Sequence, residues 1–130
     1  EVIWEEETLT IMLSDDPALK VSEGRLHLRL GRKEIYVDTD NPSVTLGRQA
    51  QNDLVIDDKA TSRLHARIEY HRGRFVLIDQ STNGTFVSLD GEKPVLVHND
   101  EYVLVGLGTI STGRETGAGS SKAIHFSFEN

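Results

Sequence analysis

The feature that most constrains this chain is an alternation of period two, carried in short runs and cut repeatedly by turn signals. RLHLRL sets Leu26, Leu28 and Leu30 on one face and Arg25, His27 and Arg29 on the other, the spacing of a strand buried on one side only. Gly31 and Arg32 turn the chain and EIYVD alternates again; VTLG, DLVI, ARIEYH, RFVLID, TFVSL, PVLV, YVLV, TIS and AIHFSF continue the pattern. Between the runs stand Asn41-Pro42, Asp57-Asp58, Arg72-Gly73, Asn83-Gly84, Asp90-Gly91 and Asn99-Asp100, pairs that accept the backbone of tight turns. No long amphipathic helix is written into residues 25–130. Short strands at this spacing predict an all-β sandwich.

At 130 residues the chain has the size of one domain, large enough to bury a core without staples. It contains no cysteine, which excludes disulfides and thiolate metal sites, and a cytoplasmic location is the expectation. No run approaches the roughly 20 apolar residues of a membrane helix, and the opening EVIWEEETLTIMLSDD is too acidic for a signal peptide. A net charge of −7 disfavours nucleic acid and anionic lipid as partners. That charge is unevenly spread: residues 1–24 hold seven acids and one base, residues 25–130 fourteen acids and thirteen bases. With the polar turn at Ser22, Glu23 and Gly24, this divides an acidic leader or linker, 1–24, from a folded domain, 25–130. Within the leader, Pro17 limits any helix in EETLTIMLSDDPALK to short pieces. The Gly- and Ser-rich stretch from Thr112 to Ser121 reads as a flexible hairpin loop before the last strand.

Catalysis finds no apparatus. A nucleotide-binding phosphate loop starting at Gly113 would need glycine where Ala118 stands and a lysine after it. A calcium loop at Asp38 and Asp40 fails at Pro42, which offers no side-chain oxygen. His27, His65, His71, His98 and His125 lack ligand spacing, so no metal is expected. The Asp57-Asp58 pair lies in a turn without a positioned partner, and no serine sits in a nucleophile elbow. No cofactor is implied. Asn83-Gly84-Thr85 matches a glycosylation acceptor but lacks the secretory context.

Binding chemistry, by contrast, gathers in the loops: LGR at 46–48, QND at 51–53, TSRLHA at 61–66 and DQSTNGT at 79–85. In a sandwich the loops at one end converge, so Arg48, Ser62, Arg63, Thr82 and Asn83 can form one site. Together they supply guanidinium forks, hydroxyl donors and an amide. A phosphorylated side chain, with three acceptor oxygens and a charge of about −1.5 to −2, suits such donors. An amide such as Asn83 can grip a peptide backbone through its N–H and C=O without reading side chains.

In this order and spacing the residues resemble the forkhead-associated (FHA) domain family, whose pattern is Gly-Arg, then Ser-Arg-x-His, then Ser/Thr-x-Asn-Gly-Thr. Here it reads GRQAQNDLVIDDKATSRLHARIEYHRGRFVLIDQSTNGTFV over residues 47–87, with every signature position present. A looser likeness runs from Arg25 to Phe128. The resemblance implies an eleven-stranded FHA-type β-sandwich that binds phosphothreonine peptides through loops at one end. It implies that Arg48 and Ser62 contact the phosphate, that Arg63 and Thr82 line the site, and that Asn83 holds the peptide backbone just after the phosphothreonine. Gly47, His65 and Gly84 are implied as scaffold, the glycines for backbone conformation and the histidine as a brace between loops. Some members read the third residue after the phosphothreonine with a side chain just before Ser-Arg. The neighbourhood here is Lys59, Ala60 and Thr61; Ala60 lacks the basic group, which argues against a strong preference for an acidic residue, and Lys59 can partly replace it.

EVIWEEE and YVLVGLGTISTG are further similar to FHA modules attached to bacterial class III adenylate or guanylate cyclases, which would make residues 1–20 the trailing edge of a catalytic domain or its linker. The partner implied is a phosphothreonine-containing protein, in trans or in cis; Thr39, Thr109, Thr112 and Thr116 are candidate phosphoacceptors within the chain, none of them marked as a kinase site. The competing expectation is a phospho-independent interaction domain, or a homodimer formed through a sandwich face or the leader.

Overall fold

The computed structural model describes residues 24–117 and 119–129, so the leader expected over 1–24 lies, except for Gly24, outside the described residues. Eleven strands follow one another: β1 (Arg25–Leu30), β2 (Lys33–Val37), β3 (Ser43–Gly47), β4 (Leu54–Val55), β5 (Ala66–His71), β6 (Arg74–Asp79), β7 (Thr85–Leu89), β8 (Val95–Val97), β9 (Glu101–Val103), β10 (Gly108–Thr112) and β11 (Ile124–Glu129). Among the described residues there is no helix. The strands form two sheets, β2-β1-β11-β10-β7-β8 and β4-β3-β5-β6-β9. Every pairing is antiparallel except β3 with β4.

The alternation in the sequence is the alternation of burial. Leu26 and Leu28 of β1, Val44 and Leu46 of β3, Phe75 and Leu77 of β6, and Ile124 and Phe126 of β11 all face the core between the sheets. Arg25 and Arg29 face out. Each fully buried Leu, Ile or Phe side chain contributes about 1.5 to 3 kcal/mol relative to exposure, so the core residues dominate stability. Several runs are shorter or shifted from their apolar stretches, two of them instructively. DLVI keeps only Leu54–Val55 as strand, and YVLV moves one residue earlier, leaving Leu104 buried just past β9 with its N–H on Phe75 O at 2.8 Å. Apolar content marks what is buried; ladder pairing decides what is strand.

Register places the polar loops. Leu46 lies opposite Ala66, Ala66 opposite Asp79, Thr85 opposite Thr112, and Val97 opposite Thr85. The end of β3, the start of β5, the end of β6, the start of β7 and the ends of β8 and β10 therefore share one rim of the sandwich. The two sheets are laced together there. Thr61 Oγ1, beside β5, bonds Thr112 Oγ1 of β10 at 2.8 Å and Thr112 O at 3.2 Å, while within one sheet the Gly113 N–H extends the β10–β7 ladder to Gly84 O at 2.9 Å.

Candidate functional site

Arg48 leaves β3 at this rim, and its backbone N–H donates to Ser62 O at 2.9 Å. Arg48 and Ser62, distant in sequence, thus lie on adjoining loops. Arg48 Nε donates to Thr61 O at 3.0 Å, which fixes the direction of an otherwise exposed guanidinium. Its remaining N–H groups have no bond among the described residues. Ser62 Oγ accepts the N–H of Thr82 at 3.1 Å, leaving its own proton to donate outward. Arg63, Thr82 and Asn83 are exposed beside it. Asn83 Nδ2 donates to Ala60 O at 3.0 Å, so one amide hydrogen and the carbonyl oxygen remain for a ligand.

His65 lies fully buried beneath these loops. Its Nδ1 accepts the N–H of Ser62 at 2.9 Å, and its Nε2 faces Gly84 O at 2.8 Å. Since the first bond demands an acceptor, the proton sits on Nε2, which donates to Gly84 O; the neutral imidazole thus ties the Ser62 loop to the Asn83 loop. Burial lowers its pKa below the ordinary value, against the opposing pull of the Gly84 carbonyl and of Asp79, whose Oδ1 is 3.9 Å away.

The two scaffold glycines serve different ends. Gly84 has φ +90°, which a side chain resists, and a Cβ there would come 2.5 Å from Leu96 Cδ1. Gly47 has no such dihedral. It is glycine because a Cβ would lie 2.2 Å from Arg63 O and 2.6 Å from Asn52 Nδ2, so close approach, not backbone conformation, is its reason.

Four residues matter that sequence reasoning left without a role. Asp79 is a buried carboxylate that accepts from Ser81 Oγ and Thr85 Oγ1 at 2.7 Å, Asn99 N at 2.8 Å and Ser81 N at 3.2 Å. Burial pushes its pKa up, but the donors from Asn99, Thr85 and Ser81 outweigh that and hold it below the ordinary value. The Asp-x-Ser spacing of 79–81 is the local signal for such a turn. Asn52 is buried, its Nδ2 donating to Arg63 O at 2.7 Å and Gln49 O at 2.9 Å, while its Oδ1 has no partner among the described residues. Thr61 is the lace between the sheets. Asp58, read as a turn residue without a positioned partner, in fact accepts from Ala60 N, Arg114 and Lys122; both cations come from the loop after β10, beyond the reach of local reading. The loop after β10 is thereby tied to Asp58 from both sides, and Ser111 Oγ of β10 bonds Thr116 Oγ1 at 2.7 Å. Of the in-cis acceptors, Thr112 is buried and bonded to Thr61, out of reach of a kinase, whereas Thr39 is exposed.

Among the described residues no group of His, Asp or Glu is arranged to hold a metal ion, and no helix is long and apolar enough to cross a membrane. A family model described as the FHA domain matches residues 44–106. The oxoglutarate dehydrogenase inhibitor of Corynebacterium glutamicum is 31% identical over 68 residues, covering 52% of this chain and 48% of that protein. The glycogen accumulation regulator GarA of Mycolicibacterium smegmatis is 32% identical over 68 residues, covering 52% of this chain and 43% of that protein. The chain thus spans about half the length of the curated relatives it matches. Among solved structures, Mycobacterium tuberculosis Rv1747 FHA-1 superposes with a TM-score of 0.63 at 22% identity, covering 84% of this chain and all of that one. The N-terminal FHA domain of S. cerevisiae Rad53p, solved with a phosphothreonine peptide, gives a TM-score of 0.55 at 21% identity, covering 81% of this chain and 90% of that one.

Proposed function

Because the chain carries an FHA domain, we propose that it binds phosphothreonine-containing segments of partner proteins, in trans or in cis, and is not itself an enzyme. One observation carries the reading: Arg48, Ser62 and Asn83 meet on a single rim, bonded to Thr61 O, Thr82 N and Ala60 O respectively. Arg48 and Ser62 take the phosphate, with Arg63 and Thr82 flanking it, and Asn83 spans the peptide backbone alongside. Charge-assisted bonds of this kind are worth about 1.5 to 3 kcal/mol each. Two or three reach micromolar affinity when the loops need no ordering on binding, and His65, Asp79 and Asn52 hold them ready. The test is a diverse phosphothreonine peptide library against the intact chain, with R48A beside it. Binding that is lost in the unphosphorylated peptides and in R48A, with thermal stability retained, supports the reading; a library without a binder refutes it.

The finer context belongs to the same proposal: a cytoplasmic module, placed behind a bacterial nucleotide cyclase and regulating it through the phosphorylated partner. The EVIWEEE and YVLVGLGTISTG likeness supports that placement, and the sequence of the full polypeptide tests it. A second reading, self-association without phosphorylation, has its own observation in the exposed Val95 and Leu96 of edge strand β8. Sedimentation of the whole chain against one beginning at Gly24 separates the two: a dimer lost on truncation favours assembly through the leader, a dimer kept favours the β8 edge, and a monomer in both excludes this reading.

A further inference from the structure

Two demands meet at residues 83 and 84. The peptide reading above asks for an amide at Asn83, and the backbone asks for glycine next to it, because Gly84 has φ +90° and a Cβ there would come 2.5 Å from Leu96 Cδ1. Of the five asparagines in the chain, at 41, 52, 83, 99 and 130, only Asn83 is followed by glycine. That step carries chemistry of its own. A backbone nitrogen that loses its proton can attack the side-chain carbonyl carbon of the asparagine before it, and glycine, with no Cβ, hinders the attack least. A bond forms between Gly84 N and Asn83 Cγ, the bond from Cγ to Nδ2 breaks, and Nδ2 departs as ammonia with the proton that Gly84 N gave up. Water then opens the cyclic imide at either carbonyl, leaving aspartate or its β-linked isomer. Nothing is oxidised or reduced, water is the sole co-reactant, and Asn83 is exposed to it.

The fold holds both groups that this reaction must move. Gly84 is buried, and its N–H, the nucleophile, donates to Ser81 Oγ at 2.7 Å. Ser81 Oγ in turn donates to Asp79 Oδ1 at 2.7 Å, and Asp79 is fixed by Thr85 Oγ1 and Asn99 N. Asp79, whose pKa lies below the ordinary carboxylate value, is too weak a base to draw a backbone amide proton through Ser81. On its other side Gly84 is held through its carbonyl, which accepts from His65 Nε2 at 2.8 Å and Gly113 N at 2.9 Å. The leaving group is held as well. Asn83 Nδ2 donates to Ala60 O at 3.0 Å, and Gly113 packs so tightly on that oxygen that a Cβ there would come 2.0 Å from it. Attack therefore requires the Gly84 N–H to leave Ser81 and the Asn83 side chain to leave Ala60 before the new bond can form, a local opening of the rim.

We propose that Asn83-Gly84 is a latent self-modification site, a deamidation step kept unreactive by the Ser81 hydroxyl that holds the Gly84 N–H. Its product places a carboxylate on the rim where an amide stood, so the modified chain repels a phosphate dianion. That consequence rests on the phosphopeptide reading above; the modification itself does not.

The experiment incubates the intact chain, S81A, L77A and a free peptide QSTNGTF, residues 80–86, in one mildly alkaline buffer. Mass spectrometry of digests follows conversion of the residue 83 amide to acid, and chromatography resolves the β-linked isomer. The intact chain reacts at least about tenfold more slowly than the peptide, and S81A, lacking one hydrogen bond, reacts about tenfold faster than the wild type. L77A, which weakens the core without touching the rim, accelerates the reaction less than S81A does. An intact chain as reactive as the peptide, an S81A rate at or below the wild-type rate, or an L77A acceleration equal to that of S81A overturns the proposal. Should S81A not fold, deuterium exchange on the wild type decides: the Gly84 amide exchanges more slowly than in the peptide, and an amide that exchanges as fast overturns the proposal. N83D, which reproduces one product, binds phosphothreonine peptides at least about tenfold more weakly than the wild type. Undiminished affinity in N83D overturns the functional consequence, and a wild type that binds no phosphopeptide overturns the phosphopeptide reading, in both cases with the deamidation rates unaffected.

Discussion

At the scale of single residues, the site is governed by what is neutral, what is charged and what is missing a side chain. His65 must be neutral, because a proton on Nδ1 would face the Ser62 N–H that it now accepts. Its folded pKa is below its ordinary value of 6.5, so between the two the unfolded chain binds a proton that the folded chain does not. The stability linked to this group is therefore complete above about pH 6.5 and declines as pH falls below it, levelling off beneath the folded pKa. Asp79 acts in a separate, lower window: its stabilisation is present above the ordinary carboxylate value and is lost as pH falls through its depressed folded pKa. Thermal melts between pH 7.5 and about 5 show the first decline in the wild type, and H65Q removes that contribution to the slope. The glycines make a second residue-scale prediction. G47A forces a methyl group against Arg63 O and costs roughly 2 to 4 kcal/mol; G84A meets both an unfavourable φ and the movable end of Leu96, and costs about 1 to 2 kcal/mol. Urea unfolding measures both.

Loops and strands carry the next level. The β3–β4 and β4–β5 loops have no ladder of their own over most of their length, and their carbonyls are held by side chains as well as by scattered backbone N–H groups. Asn52 serves Gln49 O and Arg63 O, Arg48 serves Thr61 O, and Asn83 serves Ala60 O. N52A removes two of these bonds and is expected to destabilise by about 1 to 3 kcal/mol. It should also weaken phosphopeptide binding, since Arg48 and Ser62 lie on the segments that Asn52 joins. Denaturation together with a peptide titration checks both effects. A loss of stability without any loss of affinity would show that the loops hold their geometry without it.

For the whole molecule, core and rim are separable. R48A deletes one exposed guanidinium whose single hydrogen bond among the described residues is to Thr61 O, so it should cost about 1 kcal/mol of stability or less while abolishing binding. L77A, deep between the sheets, should cost about 2 to 5 kcal/mol and, in the fraction still folded, leave affinity unchanged. Paired melts and titrations of the two variants test that separation. The sequence by itself determined the sandwich, because alternation, turn chemistry and the absence of a helical period are local properties that burial on one face imposes on every strand. It also singled out residues that the fold gathers on one rim, because Gly47-Arg48, Ser62-Arg63 and Thr82-Asn83-Gly84 lie in short signatures. Only the tertiary structure decided how the rim is braced. Asp79 reaches Asn99, Thr61 reaches Thr112, and Asp58 reaches Arg114 and Lys122. Those are contacts between loops far apart along the chain, and their partners are fixed by strand order and register, which no stretch of neighbouring residues encodes.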